Sequence, residues 1–233
     1  MSTSTDLELG KKIHAALVQA GIETPYSGQK PLWESTEREL RCQEQHGTIL
    51  AGFNNILHAL RLDQDDDSLS ETPRRMAKMY CQEIFHGLDY TNFPKCTTVE
   101  NKMQVNELVA VRDISVTSCC EHHFQAFVGH AHIAYIPDQK VLGLSKFNRV
   151  VDFFARRPQI QERLTEQISL ALTMILGTED VAVIIDCEHM CVRLRGAKDQ
   201  SATVTSRMRG KFLENLALRQ EFIELTKPRA AAR

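Results

Sequence analysis

Two short clusters restrict the fold of this chain more than anything else in it: Ser118-Cys119-Cys120-Glu121-His122-His123-Phe124 and Glu188-His189-Met190-Cys191. The first sets two thiols, a carboxylate and two imidazoles side by side, directly after an extended apolar-alternating run. The second adds an imidazole and a thiol two residues apart. Thiolate and imidazole are the side chains zinc prefers. Cys120 and Cys191 are 71 positions apart (191 − 120 = 71), so only strands of a folded sheet can bring them together. From Val181 onward, period-two alternation predicts one long strand to Arg195, with Val181, Val183, Ile185, Cys187, His189, Cys191, Arg193 and Arg195 on one face. That face runs from apolar residues through ligand types to guanidiniums, as expected where a core gives way to a charged pocket. Cys120 and one of His122 or His123 converge on Cys191, and spacing does not choose between the histidines. Two cysteines and a histidine leave the fourth tetrahedral position open, the arrangement of catalytic zinc. The competing reading is a closed structural site that recruits the other histidines or Cys187. The imidazoles left over are proton shuttles near neutral pH.

The composition of the 233 residues, 42% hydrophobic and 25% charged with a formal charge of −2, predicts a soluble domain with a helical extension. Such a balance gives no general attraction to nucleic acid or to an anionic membrane, so a polyanionic ligand has to be met by a local basic patch. No apolar run approaches the roughly 18 residues of a membrane span. Met1–Gly10 carries Asp6 and Glu8 and no arginine, which fits neither a secretory signal nor a transit peptide, so a cytoplasmic location is expected. The odd count of seven cysteines argues against a disulfide framework.

Along the chain, Leu9, Ile13 and Leu17 mark a short amphipathic helix in a stretch, 1–40, expected to be partly mobile. Ile49, Phe53, Ile56, Leu57 and Leu60 form the stripe of a second helix, and Thr72 with Pro73 caps a third that carries Arg74, Arg75 and Lys78. Strand patterns follow at Val105–Val116 and Val128–Ile136; His130 and His132 share a face of the latter and read as structural. Ser145 caps a helix to Arg156, and Pro158 opens another whose stripe is Ile160, Leu164, Ile168, Ala171 and Ile175. With a last strand at Ala202–Ser206, the order is strand, strand, helix, helix, strand, strand. It predicts an α+β domain over 96–233, an antiparallel four-stranded sheet with two helices on one face, preceded by an N-terminal helical region over 1–95. The other face, taken to carry the apolar and ligand residues of the 181–195 strand, is expected to be open.

Together with Gly143-Leu144-Ser145-Lys146-Phe147-Asn148-Arg149, Arg157-Pro158-Gln159-Ile160-Gln161-Glu162-Arg163-Leu164 and Arg195-Gly196, the two clusters resemble GTP cyclohydrolase I. The resemblance implies the tunnelling fold (T-fold) and a homodecamer of two pentameric rings. It implies a zinc-dependent hydrolase that converts GTP and water to 7,8-dihydroneopterin triphosphate and formate, the first step of tetrahydrofolate or pterin biosynthesis. Attack of zinc-activated water on guanine C8 is followed by ring opening, formate release, ribose rearrangement and ring closure. Carried onto this sequence, Cys120, His123 and Cys191 hold one zinc per chain, and His122 and His189 are the acid/base pair. Glu162 and Gln161 read the guanine, while Ser145, Lys146, Arg149, Arg195 and Arg75 hold the triphosphate. Cys119, beside a ligand, is a variable site with a competing thiol. The rivals are another enzyme of the same fold and a zinc-stabilised interaction protein, which would need a fourth ligand and would tolerate loss of His122 and His189.

Overall fold

The computed structural model describes residues 4–27 and 31–227. Helix α1 (Leu7–Gln19) begins at Asp6, whose carboxylate accepts the Leu9 N–H at 3.0 Å. Helices α2 (Arg38–Ala59) and α3 (Thr72–Lys78) follow, and a π-helical turn over Met79–Ile84 extends the latter. Then come β1 (Thr98–Glu100), β2 (Val109–Cys120), β3 (Ala126–Tyr135) and β4 (Lys140–Leu142). Helix α4 (Leu144–Ala155), strand β5 (Pro158–Gln159) and helix α5 (Gln161–Leu176) lead to β6 (Val181–His189) and α6 (Met190–Arg193). Strand β7 (Ala202–Met208) and helices α7 (Lys211–Glu214) and α8 (Leu216–Thr226) come last.

The main sheet has the order β5-β2-β3-β6-β7. Four of its strands pair antiparallel as expected; β5 is a fifth, parallel to β2, with Pro158 opposite Cys119 and Gln159 opposite Cys120. The expectation that Pro158 opens a helix is therefore corrected. A residue without an N–H suits the edge of a sheet, and the Gln159 carbonyl accepts the Glu121 N–H at 3.0 Å. A separate ribbon pairs β1 with β4. The two edges of the main sheet are unlike. On one side β5 covers only the last two residues of β2, leaving Val109–Ser118 without a strand partner among the described residues. This edge carries a bulge between Val111 and Ile114, where Asp113 takes φ 58°. The other edge is β7.

Helices α4 and α5 pack on one face. Phe147, Val150, Val151, Leu164, Ile168 and Leu172 meet Ile114, Val116, Ala131, Ile133, Val183 and Ile185, all buried. Each such side chain contributes about 1.5–3 kcal/mol on burial. Val181, Val183, Ile185 and Cys187 thus lie under the helices and not on an open face, because the alternation that marks them as apolar is the one that turns them toward α5. On the opposite face α7 and α8, which the sequence patterns leave unassigned, seat Phe212 and Phe222 against Ala134, Ala182 and Ile184. Ile13 and Leu17 of α1 enter the same cluster as the sheet, so one core runs across residue 95.

Three local readings change. The strand expected to reach Arg195 ends at His189, because β3 offers its last partner there, Phe127 opposite His189, and β7 ends its pairing at Glu188. Without a ladder, Met190–Arg193 turns into helix. Thr72 lies inside α3 and caps nothing with its side chain: its N–H already bonds to the Leu69 carbonyl at 2.9 Å, in a turn that begins at Asp66. Ser145 is the second residue of α4, behind Gly143 at the cap. The stripe of α2 is real in sequence, yet only Leu57 is buried, while Ile56 and Leu60 are 49% and 64% exposed.

Candidate metal and catalytic site

Strand β2 ends at the buried Cys120, and a tight loop returns the chain to β3. The Phe124 N–H bonds to the Cys120 carbonyl at 2.9 Å and the Cys120 N–H to the Gln125 carbonyl at 2.8 Å. The turn requires φ 50° at Phe124, a left-handed conformation that costs a non-glycine residue about 1–2 kcal/mol. Phe124 is held there by Tyr80 and Phe85, with ring centroids at 6.0 and 5.4 Å. Glu121 fixes the loop from its other side. It receives both Arg163 nitrogens at 2.6 and 3.2 Å, and this pairing holds its carboxyl below the usual range.

The loop places His123 so that one ligand atom each from Cys120, His123 and Cys191 lie within 4.8 Å of one another. Tetrahedral zinc at the usual bond lengths needs sulfur–sulfur separations of about 3.7 Å, so a contraction of at most about an ångström suffices. Soft thiolates with an imidazole are the donor set for this ion, and the residues fit it. Among the described residues no other such group exists. Of the two histidines that spacing left open, His123 groups with both thiols, while His122 stands beside them, its Nδ1 3.7 Å from Cys120 Sγ. Burial raises the Cys191 thiol, Cys120 adds to the rise, and Arg195 is near enough to oppose it. Cys187, the alternative fourth ligand, is buried under the helices, its thiol pushed up to about 12 by desolvation.

His189, the last residue of β6, stacks on Phe127 with centroids 4.7 Å apart. Its Nε2 lies 2.9 Å from Gln161 Oε1. The Gln161 amide nitrogen donates to the Ile185 and Thr203 carbonyls and to Thr205 Oγ1, at 3.0, 2.8 and 3.1 Å. Those acceptors fix which way the amide faces, so its oxygen must accept from His189, and the proton of the neutral ring sits on Nε2. Burial lowers the His189 pKa, partly opposed by Glu162. Gln161, expected at the guanine, is 1% exposed and has its amide engaged inside the chain. Glu162 is exposed in the first turn of α5, close to His189.

The cationic residues divide. Arg195 lies by Cys191. Arg75 is exposed on α3, five residues, or about one and a half turns, before Tyr80, which packs on the metal loop. Ser145, Lys146 and Arg149 lie at the other end of the sheet. Between Ser145 and Arg149, Phe147 packs on Tyr135 at 5.5 Å, and Tyr135 is eight residues up β3 from Phe127 (135 − 127 = 8), about 27 Å along the strand. One chain therefore holds the metal group and this basic helix start far apart. Sequence reasoning missed the Glu121–Arg163 pair and the action of Gln161 on His189. The signal available was only their place beside the ligand and guanine motifs.

The GTP cyclohydrolase I family model matches residues 49–227. GTP cyclohydrolase 1 of Yersinia pseudotuberculosis is 52% identical over 223 residues, 95% of this chain and 96% of the relative. That of Serratia proteamaculans is 53% identical over 212 residues, 91% of this chain and 92% of the relative. A crystal structure of a dihydroneopterin aldolase from Burkholderia thailendensis bound to guanine overlaps 47% of this chain and 97% of its own, at TM-score 0.31 and 15% identity, too distant to carry an argument. A family model over most of the chain and more than half of the aligned residues identical over nearly its whole length agree: the chain belongs to the GTP cyclohydrolase I family.

Proposed function

We propose that Cys120, His123 and Cys191 hold one zinc ion per chain and that His122 and His189 move protons around it, in the cytoplasm, on GTP. Membership of the family gives the reaction: GTP and water become 7,8-dihydroneopterin triphosphate and formate, the first step of pterin and folate biosynthesis, on a tunnelling fold. The observation that carries the site assignment is the three-ligand group with two further histidines beside it. When bound, zinc supplies Lewis acidity that makes water nucleophilic near neutral pH.

The chain's own residues do the rest. Glu162 accepts the N1–H and amino protons of guanine, two donors facing one carboxylate. His189 keeps its Nε2–H on Gln161, so the nitrogen that exchanges a proton with the purine is Nδ1. His122 serves the ribose side. Lys146, Arg149 and the N–H groups at the start of α4 beside Ser145 take phosphate oxygens, with Arg195 and Arg75 completing the clamp.

Because α4 begins at the far end of the sheet, its basic residues complete the site of another copy. Two observations support assembly: among the described residues each sheet edge has backbone groups without a strand partner, and Ile56 of α2 and Leu60 just after it are exposed. Rings of five, paired into a decamer, follow from the family resemblance. Among the described residues no helix is long and apolar enough to cross a membrane. The test is formate and pterin release from GTP by the purified protein, before and after chelation and after zinc is restored. Chelated protein that keeps full activity would overturn the zinc assignment. Activity in a species that light scattering shows to be monomeric would overturn the shared site.

A further inference from the structure

We infer that Gln159 and Gln167 are positioning residues for the metal half of the site, anchored to the loop at Ile22–Thr24; this rests on the zinc reading above. Gln159 stands opposite Cys120 in the parallel pair, and its carbonyl takes the Glu121 N–H at 3.0 Å. Its backbone thus lies against a proposed ligand and the residue after it. A strand of two residues has too few ladder bonds to hold that position alone. What holds it is a chain of buried amides. Gln159 Nε2 donates to the Phe154 carbonyl at 3.0 Å and to Gln167 Oε1 at 2.7 Å, and Gln167 Nε2 donates to the Ile22 carbonyl at 2.8 Å. Both glutamines are fully buried, and although Gln159 Oε1 has no partner, a buried amide donor that loses its acceptor is costly, which holds the three donor bonds in place.

The same loop grips the segment a second time. Arg157, fully buried, donates to Glu23 at 3.0 Å and to the Gly87 carbonyl. Its guanidinium lies over Tyr90, Phe153 and Phe154, 4.8–5.3 Å from their centroids. Two independent links therefore run from Ile22–Glu23 to the residues around β5, and from there to Cys120. Since β5 is the only strand beside Cys119–Cys120 on that side of the sheet among the described residues, slack in the links moves a ligand. A stretch expected from the sequence to be partly mobile thus sets the geometry of the metal half.

The test is zinc affinity of the full-length, assembled protein, by competition with a chromophoric chelator. Gln167→Met keeps the volume and removes both side-chain bonds. It is expected to bind zinc about tenfold more weakly, in the range seen when outer partners of metal ligands are lost, with circular dichroism and oligomer size retained. Leu172→Ala, in the same core but unconnected to β5, is the control for stability loss alone and is expected to hold zinc as the wild type does. Should Gln167→Met not assemble, Glu23→Gln loosens the Arg157 link at nearly constant volume and carries the same expectation of weaker zinc. Wild-type affinity in the glutamine variant, or an equal loss in Leu172→Ala, would overturn the positioning role. A wild-type chain without stoichiometric zinc would instead overturn the zinc reading, and this inference with it.

Discussion

The two ends of the main sheet are built to different standards. At the end bearing Cys120 and His189, the frame around the metal group is tied down within the chain: Glu121 by Arg163, His189 by Gln161 and Phe127, the loop by Phe124 among aromatic rings. At the end where α4 begins, Ser145 is exposed, and Lys146 and Arg149 have no carboxylate partner among the described ion pairs. Chemistry that depends on fractions of an ångström is preorganised by rigid neighbours. Holding a flexible, highly charged triphosphate needs only cations at roughly the right place, and those can wait for a ligand and a second copy. Under the proposed function, the contrast assigns rate to the first end and affinity to the second.

The strongest test of this division is Cys191→Ser. Zinc content should fall from one per chain to near zero and turnover with it, as read by elemental analysis and pterin fluorescence. Full zinc retention would remove Cys191 from the ligand set. Next comes His189→Ala, expected to lower kcat by about 10²–10⁴-fold with zinc retained, and Gln161→Leu should reproduce a smaller part of that loss by releasing the ring. Equal zinc loss in His189→Ala would mean the imidazole is a ligand and not a shuttle. At the opposite end, Lys146→Ala removes a charge-assisted bond of about 1.5–3 kcal/mol, so kcat/KM for GTP should drop about 10- to 100-fold. Most of this should appear in KM. Mixing that variant with His189→Ala should restore part of the activity after subunits exchange. No restoration would place both halves in one chain.

The smallest effect belongs to a residue at neither end. His132 is buried near Asp113, with His130, Arg112 and Asp186 also acting on it. Burial holds its pKa below the ordinary imidazole value, so the unfolded chain binds the proton more readily. The stability this provides is complete above the unfolded pKa and is lost as pH falls through it toward the folded value. Thermal unfolding between pH 7.5 and 5.5 should therefore drop less for His132→Gln than for the wild type, with kcat at neutral pH unchanged in the variant. A parallel drop in both would show that other groups set the acid limb.

What the sequence made legible is what chemistry makes rare. Thiols and imidazoles at Cys120, His123 and Cys191 can hardly be placed together for another reason, and their convergence needed no knowledge of the turn at Met190. Backbone choices were harder to read, because competing uses share one pattern. Pro158 suits the first turn of a helix and the edge of a sheet equally well, and the empty edge beside Cys120 decided. The alternation through Cys191 persists after β6 has run out of partners, so periodicity alone overextended the strand. Phe212 and Phe222 are ten residues apart, and no stripe links them. The stripe of α2 does mark a helix, but it overstates burial: Phe53 stacks on Tyr80 and Leu57 is covered, while Ile56 stays exposed.

The unlike edges of the sheet have a consequence for assembly by mass action. In the ring assembly proposed above, a junction between β7 of one copy and the β2 edge of the next leaves an open row with one unmatched edge of each kind, whatever its length. Only closure satisfies both, and the closing contact forms without bringing in another chain. Partial rows are therefore poor competitors with free chains on one side and finished rings on the other. The assembled fraction then depends on a high power of chain concentration, so a modest dilution can cross from almost complete rings to almost none.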